Sequence, residues 1–136
     1  MRIVLDTNVF LVSLSPFSEY APIFDALLAG QCTLLLSNEV ITEYEEIIAK
    51  RYDQETVQDV LRLLVSLTNV ELISPHYHWL LIVNDPDDDK FVDLAVAGNA
   101  DFLVTNDRHF NVLAQAPFPF VKAIKAEAFL EMLAKL

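Results

Sequence analysis

The sequence predicts an α/β protein, a three-layer α/β/α sandwich around a central, mostly parallel sheet of four to five strands. Short uninterrupted apolar runs, typical of strands buried on both faces, alternate with amphipathic segments of helical spacing. Strands that alternate with helices need crossover connections, which produce a parallel sheet covered on both sides. At 136 residues the chain can bury its own core, so we expect a single domain over 1–136.

In the first half of the chain, elements are predicted from runs of apolar residues and from apolar residues recurring every three or four positions. Asn8 or Thr7 is expected to cap the first helix, and Ser37 the third. The predicted elements are a strand over 2–5, helices over 8–14 and 21–29, a strand over 33–36, helices over 38–50 and 54–67, and a strand over 70–73. On the helix over 54–67, the residues expected to point inward are Val57, Val60, Leu61, Leu64 and Val65.

The second half begins with an ambiguous segment. Residues 76–83 fit a strand, a short helix or a connector that covers the core. Helical spacing over 88–98 then begins with a crowd of acidic residues, where the helix dipole favours negative charge. Strands are predicted over 102–105 and 118–124, and a closing helix over 126–136.

The net charge of −11 argues against a protein that coats nucleic acid, because such a protein needs a basic face. It leaves nucleic acid open as a substrate. Seven of the twenty acidic residues lie between Asp85 and Asp107, and a divalent cation bound there would offset part of their charge.

The compartment is predicted from cysteine usage and hydropathy. Cys32 is the single cysteine, so no internal disulfide can form. No apolar run approaches the ~18 residues of a membrane span, and the first residues enter a strand pattern without an export signal. We therefore expect a cytoplasmic protein that does not enter the membrane.

Four acidic residues are placed where they can meet. Asp6 and Asp107 follow apolar strands, Glu43 lies on the helix after another strand, and Asp88 opens the helix that precedes the strand leading to Asp107. Ligands of parallel sheets gather where the strands end, at their carboxyl edge. Convergent carboxylates suit a hard divalent cation such as Mg²⁺. The sequence therefore predicts a metal site at this edge.

The chain resembles the PIN-domain family, metal-dependent ribonucleases that include VapC-type toxins, and in particular the toxin components of that family. The matching motifs span nearly the whole chain and occur in the family's order. They are Val4-Leu5-Asp6-Thr7-Asn8-Val9-Phe10, Ser37-Asn38-Glu39-Val40-Ile41-Thr42-Glu43-Tyr44, Asp85-Pro86-Asp87-Asp88-Asp89-Lys90-Phe91 and Asn99-Ala100-Asp101-Phe102-Leu103-Val104-Thr105-Asn106-Asp107.

The resemblance implies a site of four acids around Mg²⁺ or Mn²⁺, which are Asp6, Glu43, Asp88 and Asp107. Asp89 is the alternative to Asp88, because several acids crowd the start of that helix. Asn8 and Thr105 are implied as supporting residues that orient the acids or a metal-bound water.

The activity that the resemblance implies is a metal-dependent endoribonuclease acting on RNA, as the toxin of a type II toxin–antitoxin pair. Its partners would be the RNA substrate, a small antitoxin protein and a second copy of the chain. The apolar faces of 44–52 and 57–67 are the expected homodimer interface.

Other interpretations of these residues are weaker. An EF-hand is excluded because Lys90 stands in place of the turn glycine and Val96 in place of the closing acid. His76 and His78 lack a third ligand, and His109 follows the site without an identified partner. The alternative function is a PIN-fold module that binds a protein or RNA without cutting it.

Overall fold

The computed structural model describes all 136 residues and contains a five-stranded, fully parallel sheet, which confirms the predicted α/β class. The strand order is β3-β2-β1-β4-β5, so β1 lies at the centre. There, Ile3 pairs with Leu34 of β2 on one side and with Phe102 of β4 on the other. The strands are β1 (Arg2–Leu5), β2 (Thr33–Leu36), β3 (Val70–Leu72), β4 (Phe102–Val104) and β5 (Ala123–Ile124).

Six α-helices cover the sheet. The chain moves from β1 to β3 in one direction and returns to β4 in the other, so right-handed crossovers place α5 on the face opposite α1 to α4. The helices are α1 (Thr7–Ser13), α2 (Ala21–Leu28), α3 (Asn38–Arg51), α4 (Gln54–Ser66), α5 (Asp89–Ala97) and α6 (Ala126–Ala134), with 3-10 helices over Pro86–Asp88 and Arg108–Gln115. None of the helices is long and apolar enough to span a membrane.

Three of the predicted details are wrong. The N-cap of α1 is Asp6, with no side-chain cap, so neither Thr7 nor Asn8 occupies that position. Val65 on α4, expected to point inward, is 86% exposed, because the buried face of this helix includes fewer residues than its set of apolar side chains. Ser37 does cap α3, accepting the N–H of Val40 at 3.2 Å. The strand expected over 118–124 is confined to its last two residues.

Residues 74–84, here called the strap, form the connector among the three possibilities. The strap lies along α5 and is held there by two buried carboxylates one helical turn apart. Asp89 Oδ1 accepts the N–H of Ile82 at 2.8 Å, and Asp93 Oδ1 accepts the N–H of Trp79 at 3.0 Å. Asp93 Oδ2 also lies 3.0 Å from Nδ1 of His78, so this histidine has an acidic partner inside the fold.

The core is one cluster of buried apolar residues on both faces of the sheet. Tyr44 of α3 stacks on Phe10 with ring centroids 4.4 Å apart, and its hydroxyl donates to the carbonyl of Leu5. At the other end of the sheet, α5 ends at Gly98, where a Cβ would lie 2.6 Å from Cδ1 of Leu35. The sheet therefore fixes α1 and α3 at its carboxyl edge and the end of α5 at its opposite edge.

Candidate active site

An open acidic cleft lies at the carboxyl edge of the sheet. Its lining comes from the end of β1, the exposed side of α3 and the turn that leads into α5. The lining residues are Asp6, Thr7, Asn8, Glu43, Glu46, Ile47, Asp85, Asp87 and Asp88. Asp107 stands beside this cleft, close enough for its charge to act on Asp6 and Asp88. The structure thus brings the four sequence-predicted acids together with Asp85 and Asp87 of the third motif and with Glu46, which lies outside the motifs.

Asp6 is positioned by the ends of two neighbouring strands. Its Oδ2 accepts the hydroxyl of Thr105 at 2.6 Å. Oγ1 of Thr105 in turn accepts the N–H of Asp107 at 3.0 Å, so one hydroxyl links two of the acids. Burial raises the pKa of Asp6 above its usual value, and the charges of Asp107 and Glu43 raise it further.

Glu43 already has partners on both carboxylate oxygens. The hydroxyl of Thr7 donates to Oε2, and Nζ of Lys90 lies 2.8 Å from Oε1. Burial alone would lower the pKa of Lys90, but its hydrogen bond and attraction to Glu43 outweigh burial, and the pKa is raised. Lys90 is therefore a fixed positive charge at the edge of the cleft.

Asp88 is the acid with the least support from the protein. Its Oδ2 is buried without a hydrogen-bond partner. Burial raises the pKa of Asp88 to about 7, and the charges of Asp85, Asp6 and the other cleft acids add to the effect. Asp89, the alternative at this position, is turned away from the cleft and binds the strap.

His109 joins the acids, although its sequence offered no visible partner. Its Nδ1 is buried without a hydrogen-bond partner, 3.4 Å from Oδ1 of Asp107 and 3.7 Å from Oδ2 of Asp88. The side chains of Asp85, Asp88 and His109 offer ligand atoms within 4.8 Å of one another. The sequence signal for this approach was the short turn after Asp107. In that turn Oδ1 of Asp107 accepts the N–H of His109 at 2.9 Å, and the chain folds back toward the site.

These residues fit a divalent cation. The cleft concentrates carboxylates, and the unpartnered atoms of Asp88 and His109 face one another at a separation too long for a hydrogen bond. A buried polar atom without a partner is costly, and a cation between such atoms would remove that cost. Oxygen-rich donor sets favour Mg²⁺ or Mn²⁺ over softer metals.

The sequence matches a family model described as PIN domain over residues 2–109, a range that contains all four predicted acids and His109. No curated protein matches the chain in sequence.

Several solved structures share the fold. One is VapBC2 from Rickettsia felis bound to a DNA fragment from its promoter, with a TM-score of 0.63 and 23% identity, covering 92% of this chain and 98% of that chain. Another is VapBC-1 from nontypeable Haemophilus influenzae, with a TM-score of 0.62 and 16% identity, covering 93% and 99%. FitAcB from Neisseria gonorrhoeae has a TM-score of 0.57 and 16% identity, covering 92% and 98%. At these identities, the likeness shows a common fold.

Proposed function

The chain belongs to the PIN-domain family, and from this premise we propose that it is a metal-dependent endoribonuclease that hydrolyses RNA phosphodiester bonds at the acidic cleft. The observation that carries the proposal is the convergence of Asp6, Glu43, Asp88 and Asp107 at one edge of the sheet. Mg²⁺ or Mn²⁺ is the proposed cofactor, with these four acids as its ligands and catalytic residues.

A divalent cation held there would polarise a phosphoryl oxygen and lower the pKa of a bound water. The protein's part is to hold and orient the acids. Thr105 holds Asp6, while Thr7 and Lys90 hold Glu43. Thr105, Thr7 and Lys90 therefore support the acids, because each fixes a carboxylate oxygen without closing the cleft, and Asn8 lines the cleft beside them.

Asp88 is better placed than Glu43 to accept a proton from the attacking water. Both oxygens of Glu43 are engaged by Thr7 and Lys90, whereas Oδ2 of Asp88 has no partner.

The test is cleavage of a mixed single-stranded RNA by the purified protein with Mn²⁺, with Mg²⁺ and with EDTA. Asp6→Asn should abolish metal-dependent cleavage, because it removes one negative charge from the centre of the cluster while preserving the shape of the side chain. Asp59→Asn, at an exposed acid on α4, is the matched control and should cut like the wild type. Full metal-dependent activity in Asp6→Asn would refute the assignment.

The second candidate is a PIN-fold module that binds its partner without cutting. One observation favours it: Lys90 already supplies a positive charge to Glu43 within the cleft, as a metal ion otherwise would. A ligand that binds only the native state raises its melting temperature. The non-catalytic module should therefore show no Mn²⁺-dependent rise in melting temperature, whereas the nuclease should show one.

We also propose a biological setting, the toxin of a type II toxin–antitoxin pair in the cytoplasm. It rests on family analogy, together with the fold shared with structures named VapBC. The proposed partners are a small antitoxin whose segment covers the acidic cleft and a second copy of the chain. Expression of the chain alone should arrest the growth of a bacterial host, and expression of Asp6→Asn should not.

A further inference from the structure

Two segments of this acidic chain that meet in the fold contain no acidic residue. None of the twenty Asp and Glu residues lies within 72–84 or 108–126. The second segment carries three of the nine basic residues, Arg108, Lys122 and Lys125. A surface built from both segments would therefore differ in charge from the rest of the molecule, whose net charge is −11.

The structure brings these two segments into contact through aromatic side chains. The rings of Tyr77 and Trp79 have centroids 4.4 Å apart, and Trp79 meets Phe118 edge-on at 5.4 Å. Tyr77, Phe118 and Phe120 are 64%, 76% and 80% exposed. Tyr77, Trp79, Phe118 and Phe120 are here called the aromatic platform. Trp79 is half-buried and the other three rings are exposed, and clustered exposure of this kind marks an interaction site.

The two segments that carry the aromatic platform also lead to the acidic cleft along the chain. The backbone N–H of Trp79 donates to Asp93 of α5, and Asp88 lies five positions before Asp93, at the N-cap of that helix. The strap runs on from Trp79 to Asp85 in the cleft lining. The segment bearing Phe118 follows the 3-10 helix that starts immediately after Asp107.

A second groove, lined in part by Asp107, carries basic residues. Arg108 and Lys125 line it, together with Asn106 and Asn111. These side chains provide hydrogen-bond donors and positive charge, which suit a phosphate backbone. The groove and the aromatic platform share the segment 108–126, so one strand could contact both.

We propose that the aromatic platform stacks unpaired bases of a single-stranded RNA, whose backbone follows the groove of Arg108 and Lys125 toward Asp107. The acidic cleft repels phosphates, so a substrate strand needs a source of affinity outside the cleft. Base stacking supplies it without requiring a particular sequence, because every base has a π-face. A duplex hides those faces, which makes unpaired RNA the fitting substrate. This inference rests on the proposed function for the site of cutting, but binding itself is separable from cleavage.

The test measures binding in EDTA, where cleavage does not contribute. A labelled single-stranded RNA of mixed sequence is titrated with wild-type protein, and binding is read by fluorescence anisotropy and by quenching of Trp79, the single tryptophan. The double variant Phe118→Ala, Phe120→Ala should weaken binding by about tenfold or more, given the usual contribution of base stacking. Phe17→Ala is the matched control, because Phe17 is 97% exposed between α1 and α2, away from the aromatic platform.

A duplex of the same sequence should bind more weakly than the single strand and leave Trp79 fluorescence unchanged. Equal affinity of the double variant and the wild type for the single strand would overturn the proposal. If the double variant also had a lower mass in light scattering, the aromatic platform would be a protein interface instead. Binding that depends on the aromatic platform in a protein that never cuts RNA would uphold this proposal and refute the nuclease. RNA cleavage by the wild type, with RNA affinity unchanged in the double variant, would uphold the nuclease and refute this proposal.

Discussion

At the scale of single residues, aspartates close together in sequence have different roles, because their positions around the axis of α5 point their side chains in different directions. Asp88, before the first turn of α5, lies in the cleft, and its Oδ2 has no partner. Asp89 and Asp93 point to the opposite side and bind backbone N–H groups of the strap. Lys90, between them in sequence, reaches Glu43 on α3. Neighbours in sequence thus divide among a candidate site, a structural anchor and an ion pair.

Asp88 should make the stability of the metal-free protein depend on pH. Its pKa is raised from an ordinary value near 4 to about 7, so the folded state binds this proton more tightly than the unfolded state. The melting temperature should therefore fall as pH rises from about 4 to about 7. Asp88→Asn should flatten this part of the profile, and Asp59→Asn should retain it.

Mn²⁺ added at neutral pH should raise the melting temperature of the wild type, because it relieves the repulsion that ionised Asp88 experiences. The rise should be much smaller for Asp88→Asn. Scanning calorimetry over a pH series, with and without Mn²⁺, measures both effects. An identical Mn²⁺ response in the two proteins would remove Asp88 from the metal site.

Removing the carboxylate of Asp89 should destabilise the fold, independently of any metal. In Asp89→Ala the N–H of Ile82 loses its acceptor, while the side chain of Ile82 remains buried. A buried donor left unsatisfied costs about 1–3 kcal/mol, and urea unfolding in EDTA measures it. Asp87→Ala removes an exposed acid from the same turn and should unfold at the wild-type midpoint; equal midpoints for both variants would contradict the anchoring role.

At the scale of elements, the structure of the strap depends on α5. Residues 76–83 form no regular ladder or helix, and their backbone is held by side chains of a helix that follows later in the sequence. Local periodicity cannot reveal such a connection, so the sequence left three possibilities open. A hydrogen bond to Asp93 raises the pKa of His78, so the protonated form of His78 strengthens the attachment of the strap to α5. That stabilisation is present below about pH 6.5 and is lost as pH rises through the raised pKa.

Gly98 allows the end of α5 to lie close to the sheet. Its missing side chain leaves room for Leu35, and its carbonyl accepts hydrogen bonds from the guanidinium of Arg2 at 2.8 and 3.0 Å. Gly98→Ala should lower the free energy of unfolding by about 1–3 kcal/mol, the usual cost of overpacking. Gly30→Ala meets no atom within 4 Å but has a φ of +74°, so it should cost only backbone strain, about 1 kcal/mol. Denaturant midpoints compare the two, and a neutral Gly98→Ala would show that Leu35 repacks freely.

At the scale of the whole molecule, most of the apolar residues expected to form a homodimer interface belong to the protein's own core. Tyr44, Ile48, Val57, Val60 and Leu64 are all buried within one chain. Beside the edge strand β3, an apolar depression opens to the surface, and its lining includes buried residues as well as exposed ones. It is lined by Leu36, Ile41, Leu61, Leu64, Val65, Leu67, Val70 and Leu72.

We expect a homodimer to form across this depression. Val65 and Leu72 are 86% and 61% exposed there, and covering them would remove apolar surface from water. Val65→Asp should therefore yield the mass of a monomer in light scattering at micromolar concentration. Val83→Asp, at an equally exposed valine in the strap, should leave the mass unchanged. A monomeric wild type would contradict this expectation.

By itself, the sequence determined the parallel α/β fold, the bounds of β1 and β2, the Ser37 cap and the placement of Asp6 after the first strand. These features follow from local apolar runs and capping chemistry, which act over a few residues. The tertiary structure alone decided which of the acids near Asp88 faces the cleft, that Lys90 pairs with Glu43 and that His109 approaches Asp88. Those outcomes depend on helix phase and on contacts between distant segments, and no local pattern encodes either.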